Sequence, residues 1–167
     1  MLNEEAITKY TASPLILDFW AFVVGETGER PFPDYLTMDL MMVPHLVPKI
    51  FVVEVAPSDG KRLLFKFAGS HFDAIHQQNV MGKYLEDFYD GENKELVLQN
   101  NNEVIDRKRP YYFHNQTIFH KDGYDNRKTI ERLAFPCSSN GTDINFTIGL
   151  VDFKNYDDGG KDVVVML

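Results

Sequence analysis

The chain is poor in cysteine, in positive charge and in long apolar runs. Its single cysteine, Cys137, among 167 residues rules out a disulfide within the chain and fits a reducing compartment. Seventeen basic residues stand against twenty-five acidic ones, a net charge of −8. Nucleic-acid binding draws its affinity from clustered Lys and Arg, so a nucleic-acid partner is not expected. The small basic run DRKRP, Asp106 to Pro110, reads as a solvated helix end, where cations complement the helix dipole. The apolar stretch PLILDFWAFVVG is about half the length of a membrane span and is interrupted by Asp18, so no membrane contact is expected. No basic segment followed by an apolar run and a small-residue cleavage site marks a secretory signal. Repeats and low-complexity tracts are absent, and the expected location is the cytoplasm.

What is present is the material of one folded domain, with 44% apolar residues and 13% aromatics. Ser13 to Gly25 reads as a first helix, with Ser13 as cap, Pro14 in the first turn and Gly25 as stop. Leu15, Phe19, Trp20, Phe22 and Val23, together with Ile16 and Leu17, cover more than one face of it. Two readings stay open: the helix is tucked under an extension, or the first five of these residues form a homodimer contact. The stretch RPFPDYLTMDLMMVPHLVP is broken by prolines into short helix and turn.

Strands follow. KIFVVEVA (Lys49 to Ala56) and KRLLFKFAG pair across the turn PSDG, and strict alternation puts Leu63, Phe65 and Phe67 on one face. Gly69 ends the second strand. Short helices SHFDAIHQQ, capped by Ser70, and MGKYLEDFY lead to GENKELVLQNNNEVIDRK, capped by Asp90, where Val97, Asn101, Val104 and Ile105 share a stripe. Three strands complete the core, PYYFHNQTIFH, RKTIERLAFPC and INFTIGLVDF, the last two joined by the turn SSNG. NYDDGG reads as a hinge and KDVVVML as an apolar tail. The fold class is α+β: a five-stranded antiparallel sheet with short helices on one face and an N-terminal helical extension. Residues 1–48 are the extension and linker, 49–153 the domain and 154–167 a C-terminal tail.

No catalytic constellation is legible. His71 and His76 are five apart, which turns them about 140° from each other on a helix, so they do not share a metal. They pack, cap, or supply one of them as a single axial haem ligand; no metal and no cofactor is expected. His114, Gln116 and His120 share one strand face with no nucleophile or orienting acid beside them. Glu54 and Glu131 read as strand glutamates that are solvated or paired with a neighbouring cation. Asn101, on its apolar stripe, points to a pocket where a polar ligand, a water or a backbone carbonyl satisfies it.

With Trp20, Pro33, Asp39, Leu46 and Pro48 ahead of the first strand, Ala68, Gly69, Gly82 and Leu85 around the second, and Pro136 and Gly141 late in the chain, the sequence resembles a PAS domain. More narrowly it is similar to the single-domain PAS-like family of alphaproteobacteria, over about Leu15 to Phe153. It departs from that pattern where the linker carries Tyr35 in place of an arginine and Leu40 in place of a proline. The resemblance implies a non-enzymatic sensory or signalling domain that binds a small molecule, a signalling-protein partner, or both, and pairs as a homodimer. With no kinase, cyclase or DNA-binding segment attached, its output is expected to pass through another protein. The pocket is expected among Phe67, Phe72, Ile75, Tyr84, Leu85, Val97, Asn101 and Phe135. A flavin photoreceptor of the light-oxygen-voltage subclass needs a reactive cysteine in its helical segment, whereas Cys137 sits at a strand end. The alternatives are a small enzyme or binding protein resembling nuclear transport factor 2, with a cone-shaped pocket, and a ligand-free adaptor. The former places its long helices before most strands; here helices interrupt strands two and three.

Overall fold

The computed structural model describes residues 4–56, 60–121, 124–155 and 161–167. The side chains of residues 4, 117–121 and 124–126, His120 among them, lie outside the described residues, as do 57–59 of the expected first turn and 156–160 of the expected hinge.

Two helices open the chain, α1 (Glu4–Thr8), which the sequence reading did not foresee, and α2 (Pro14–Thr27). Proline sits in the first turn of α2, where its missing N–H leaves no intrahelical bond unmade. The helix passes Gly25 and stops at Gly28, which adopts φ 56°. Ser13 precedes it in extended conformation but its side chain makes no cap bond. The proline-rich linker folds as three single turns of 3-10 helix at 35–37, 40–42 and 47–49. Asp34 and Asp39 open the first two by accepting from the backbone N–H of Leu36 and Met41.

The hairpin β1 (Ile50–Ala56) and β2 (Arg62–Ala68) is followed by α3 (Ser70–His76), α4 (Leu85–Phe88) and α5 (Gly91–Arg107). The meander β3 (Tyr111–Lys121), β4 (Tyr124–Cys137) and β5 (Phe146–Asn155) comes next, then β6 (Val163–Met166). The sheet order is β2-β1-β5-β4-β3-β6 with all neighbours antiparallel. The expected α+β class and order of helices and strands are therefore present, with one strand more than expected. The segment read as an apolar tail pairs Val163–Met166 with Tyr111–His114, and Leu167 N–H donates to the Pro110 carbonyl at 2.8 Å.

Alternation along the strands sends side chains to two faces. On one, Ile50, Val52, Leu133, Phe135, Ile148 and Leu150 pack against Ile7, Ile16, Phe19, Trp20 and Val23 of α1 and α2. On the other, Phe51, Val53, Phe65, Phe113 and Val151 meet Phe72, Leu85 and Val104 of α3, α4 and α5. Helices thus cover both faces of the sheet: the short helices lie on one, as expected, and the N-terminal extension covers the other. The surplus apolar surface of α2 goes to its own sheet: Phe19, Trp20 and Val23 are buried there and Leu15 and Phe22 half-buried. The five residues expected as a dimer contact are therefore not available as a set, because three of them already hold the helix down.

A β-bulge reverses another expectation. Val52 pairs with Phe67 but Val53 with Phe65, leaving Lys66 as the extra residue. The bulge turns Phe67 toward the α2 face, while Leu63 and Phe65 remain on the α3–α5 face. At the end of β2, Gly69 N–H donates to the Ile50 carbonyl at 2.8 Å, and a Cβ on Gly69 would collide with the backbone of Val47 and Pro48. Two stretches of main chain touch there, and only glycine lets them.

Candidate functional site

Between the sheet and α3–α5 lies a cavity of about 370 Å³. Behind its wall, Ala134 and Gly149 pair in register across β4 and β5. A Cβ on Gly149 would strike the Phe51 ring, so the ring fills the space beside that glycine. Phe51, Val53, Phe65, Phe72, Phe113, Val151 and Phe153 make the walls largely apolar. Gln78, Asp90, Asn93 and Leu96, all exposed, line the side that meets solvent.

The central polar group is Arg132. It lies in mid-sheet between Phe113 of β3 and Val151 of β5 and is only 5% exposed. Its Nη2 donates to Asn101 Oδ1 at 3.0 Å, and its guanidinium carbon stands 4.6 Å from the centre of the Phe51 ring. Its Nε–H has no acceptor. Among the described residues no carboxylate forms an ion pair with it. Burial pushes its pKa down to about 10, which still leaves a cation at neutral pH.

Asn101 holds this arginine. Its Oδ1 accepts from Arg132 and from Thr147 Oγ1 at 3.3 Å, and its Nδ2 donates to the Val97 carbonyl at 2.8 Å. Its neighbour Asn100 accepts from the Tyr111 hydroxyl at 3.2 Å. Of the alternatives open at the sequence level, the backbone carbonyl is thus realised for Asn101, together with two protein donors. Tyr89 and His76 face the same space. The Nδ1–H of His76 donates to the Phe72 carbonyl at 2.8 Å, so its Nε2 accepts from the Tyr89 hydroxyl at 3.1 Å. Burial lowers the His76 pKa and raises that of Tyr89, keeping both neutral.

Of the expected lining, Phe72, Val97 and Asn101 border the cavity. Phe67 is carried to the opposite face by the bulge, and Phe135 packs on that face against Trp20 at 5.3 Å between ring centres. Tyr84 lies beneath the Arg62 guanidinium at 3.8 Å on the outer side of β2. Leu85 is buried in the α4 core and Ile75 is half-buried on α3; neither lines the cavity. Arg132, Tyr89, Phe51, Phe113 and Phe153 were missed. The signal was present in IERLA, where Arg132 shares the inward phase of Ile130 and Ala134. A charged residue there interrupts an otherwise apolar row.

The remaining candidates lie elsewhere. His71 stacks on Phe153 at 6.0 Å with its Nε2 buried and unpartnered, and burial lowers its pKa. Glu131 faces α2 and accepts from the Tyr112 hydroxyl at 2.9 Å, from Thr11 and from Lys154. Glu54 pairs with Lys66 at 3.3 Å. His114 meets the Lys161 carbonyl at 3.1 Å and Gln116 accepts from Thr129 at 3.0 Å. Cys137 ends β4 on the α2 face, across the sheet from the cavity, and burial pushes its thiol up to about 12. Among the described residues no three His, Cys, Asp or Glu side chains are placed to hold a metal, and no helix is long and apolar enough to cross a membrane.

No family model and no curated protein matches the sequence. Solved structures do resemble the fold. The photo-excited blue-light photoreceptor Vivid aligns with 81% of this chain and 94% of its own at 11% identity and a TM-score of 0.47. The Rhodobacter sphaeroides LOV protein aligns over 74% and 71% at 9% identity and 0.46. The PAS domain of Bordetella pertussis BvgS aligns over 68% and 84% at 15% identity and 0.40. Identities of this order transfer no residue role to the chain.

Proposed function

We propose that the chain is a non-enzymatic sensory or signalling domain of the PAS kind. It takes a small molecule into the cavity and passes the occupancy to a protein partner by contact. The observation that carries this reading is the lining itself: a mostly aromatic space with a few convergent polar groups, Arg132 foremost, held by Asn101, to which Thr147 in turn donates. Ligand cavities combine apolar walls and a few placed polar groups in this way. A molecule there touches β1, β4 and β5 on one side and α3 and α5 on the other, so it biases how the helices sit on the sheet. It shifts that packing only by as much as its affinity differs between the two arrangements.

The finer reading is a cytoplasmic member of the alphaproteobacterial single-domain PAS-like family that works as a homodimer. Leu15 and Phe22, the two members of the α2 set left half-exposed, are the residues of that set open to a partner. Native mass spectrometry of the freshly purified chain tests both parts. The expected species is twice the 19.3 kDa chain with a small added mass lost on denaturation. A bare chain that stays bare after incubation with cell metabolites would favour the ligand-free adaptor.

A further inference from the structure

Resting on the reading of this cavity as a ligand site, we infer that its ligand is a monocarboxylic acid with a compact aromatic or apolar body, its carboxylate received by Arg132. A guanidinium offers five N–H donors. Among the described residues Arg132 has one acceptor, Asn101 Oδ1, and its Nε–H has none. A buried cation without a counter-ion draws an anion, and a guanidinium edge matches a carboxylate with two parallel hydrogen bonds.

The rest of the lining narrows the class. Phe51, Phe72, Phe113 and Phe153 give the remainder of the molecule apolar faces to lie against. No second cation stands among the described lining residues, and Asp90, the carboxylate among them, is exposed at the solvent side. A phosphate or a dicarboxylate would meet one cation and one repelling charge, whereas a single carboxylate is matched by Arg132 alone. His76 and Tyr89 are bonded to each other and add no charge. The cavity of about 370 Å³ is at the small end of ligand sites, which suits a compact molecule.

The test is isothermal titration calorimetry on the full chain with phenylacetate, 4-phenylbutyrate and indole-3-acetate, each beside its primary amide. At least one acid is expected to bind about tenfold or more tightly than its amide, as a charged hydrogen bond implies. Arg132→Met is expected to bring acid and amide level. If circular dichroism shows that variant unfolded, Arg132→Lys decides instead: it keeps the charge but not the fork, and the acid preference must fall. Amides that bind as tightly as the acids overturn the inference and leave the cavity reading standing. An acid preference that survives at position 132 overturns it as well. Failure of every acid and every amide to bind removes the inference and the ligand-site reading together.

Discussion

β4 carries two buried charges side by side, and the two faces of the sheet treat them in opposite ways. Glu131, on the α2 face, accepts from Tyr112, Thr11 and Lys154. Arg132, on the α3–α5 face, has Asn101 and an aromatic ring. The α2 face packs Trp20, Phe19 and Phe135 into its core, and its buried carboxylate is already supplied with donors. The other face keeps a cavity and a cation with unused donors. Completed polar networks specify a structure, while incomplete ones leave free energy for something else to claim. The carboxylate is satisfied within the fold, and the cation keeps a donor to spare.

The comparison breaks if the faces respond alike to substitution. The largest effect is expected on the α2 face: Trp20→Ala removes the indole beside Phe135 and should lower the unfolding free energy by about 3–5 kcal/mol, read by urea denaturation. A loss below about 1 kcal/mol would mean that α2 is not integral to the core. Next come the paired charges. Glu131→Ala leaves the Tyr112 hydroxyl without its acceptor and Lys154 without its partner. Because Lys154 is partly exposed, the expected loss is about 2–3 kcal/mol rather than that of a fully buried pair. Arg132→Met should act with the opposite sign, raising stability by about 1 kcal/mol, since it replaces an unpaired buried cation with an apolar chain of similar length. Equal losses in the two variants would show Arg132 to be as structural as Glu131.

The smallest effect sharpens the same contrast through pH. Burial holds the His76 imidazole neutral, with its pKa lowered from 6.5. As pH falls through about 6.5 the unfolded chain takes up this proton before the folded one does. Stability is therefore full above that value and declines toward the lowered folded pKa. His76→Gln should flatten the unfolding free energy measured between about pH 7 and pH 5. His71, lowered by burial and by Lys49, should leave a residual slope. A slope unchanged in His76→Gln would place the titration elsewhere.

The architecture was legible where it rests on period and punctuation. Val and Ile runs marked β1, Gly69 marked the exit from the sheet, and the Val97, Asn101, Val104 stripe gave α5 its inward side. Sidedness was not legible where a single residue resets it. Lys66 is an ordinary alternating residue in the sequence, and only the pairing of Val52 and Val53 with β2 makes it a bulge that sends Phe67 away from the cavity. Phe135 was misplaced for a related reason: an aromatic strand residue suits either face, and only the packing of α2 decides which. The tail was unreadable because a short apolar strand needs its partner to exist; Val163–Met166 is a strand only beside β3. Arg132 could have been found by asking which inward position carries a charge.

Phe51 occupies the space that a Gly149 side chain would fill, and the Arg132 guanidinium rests on that ring. How far the cation stands above the sheet is therefore set from behind the wall, by one absent methyl group. Two homologues with identical lining residues and alanine against glycine at this position would present the same chemistry at different depths. Their preferences among acids would diverge with no difference in any residue a ligand touches. The shape of such a cavity is written partly in an atom the chain does not have.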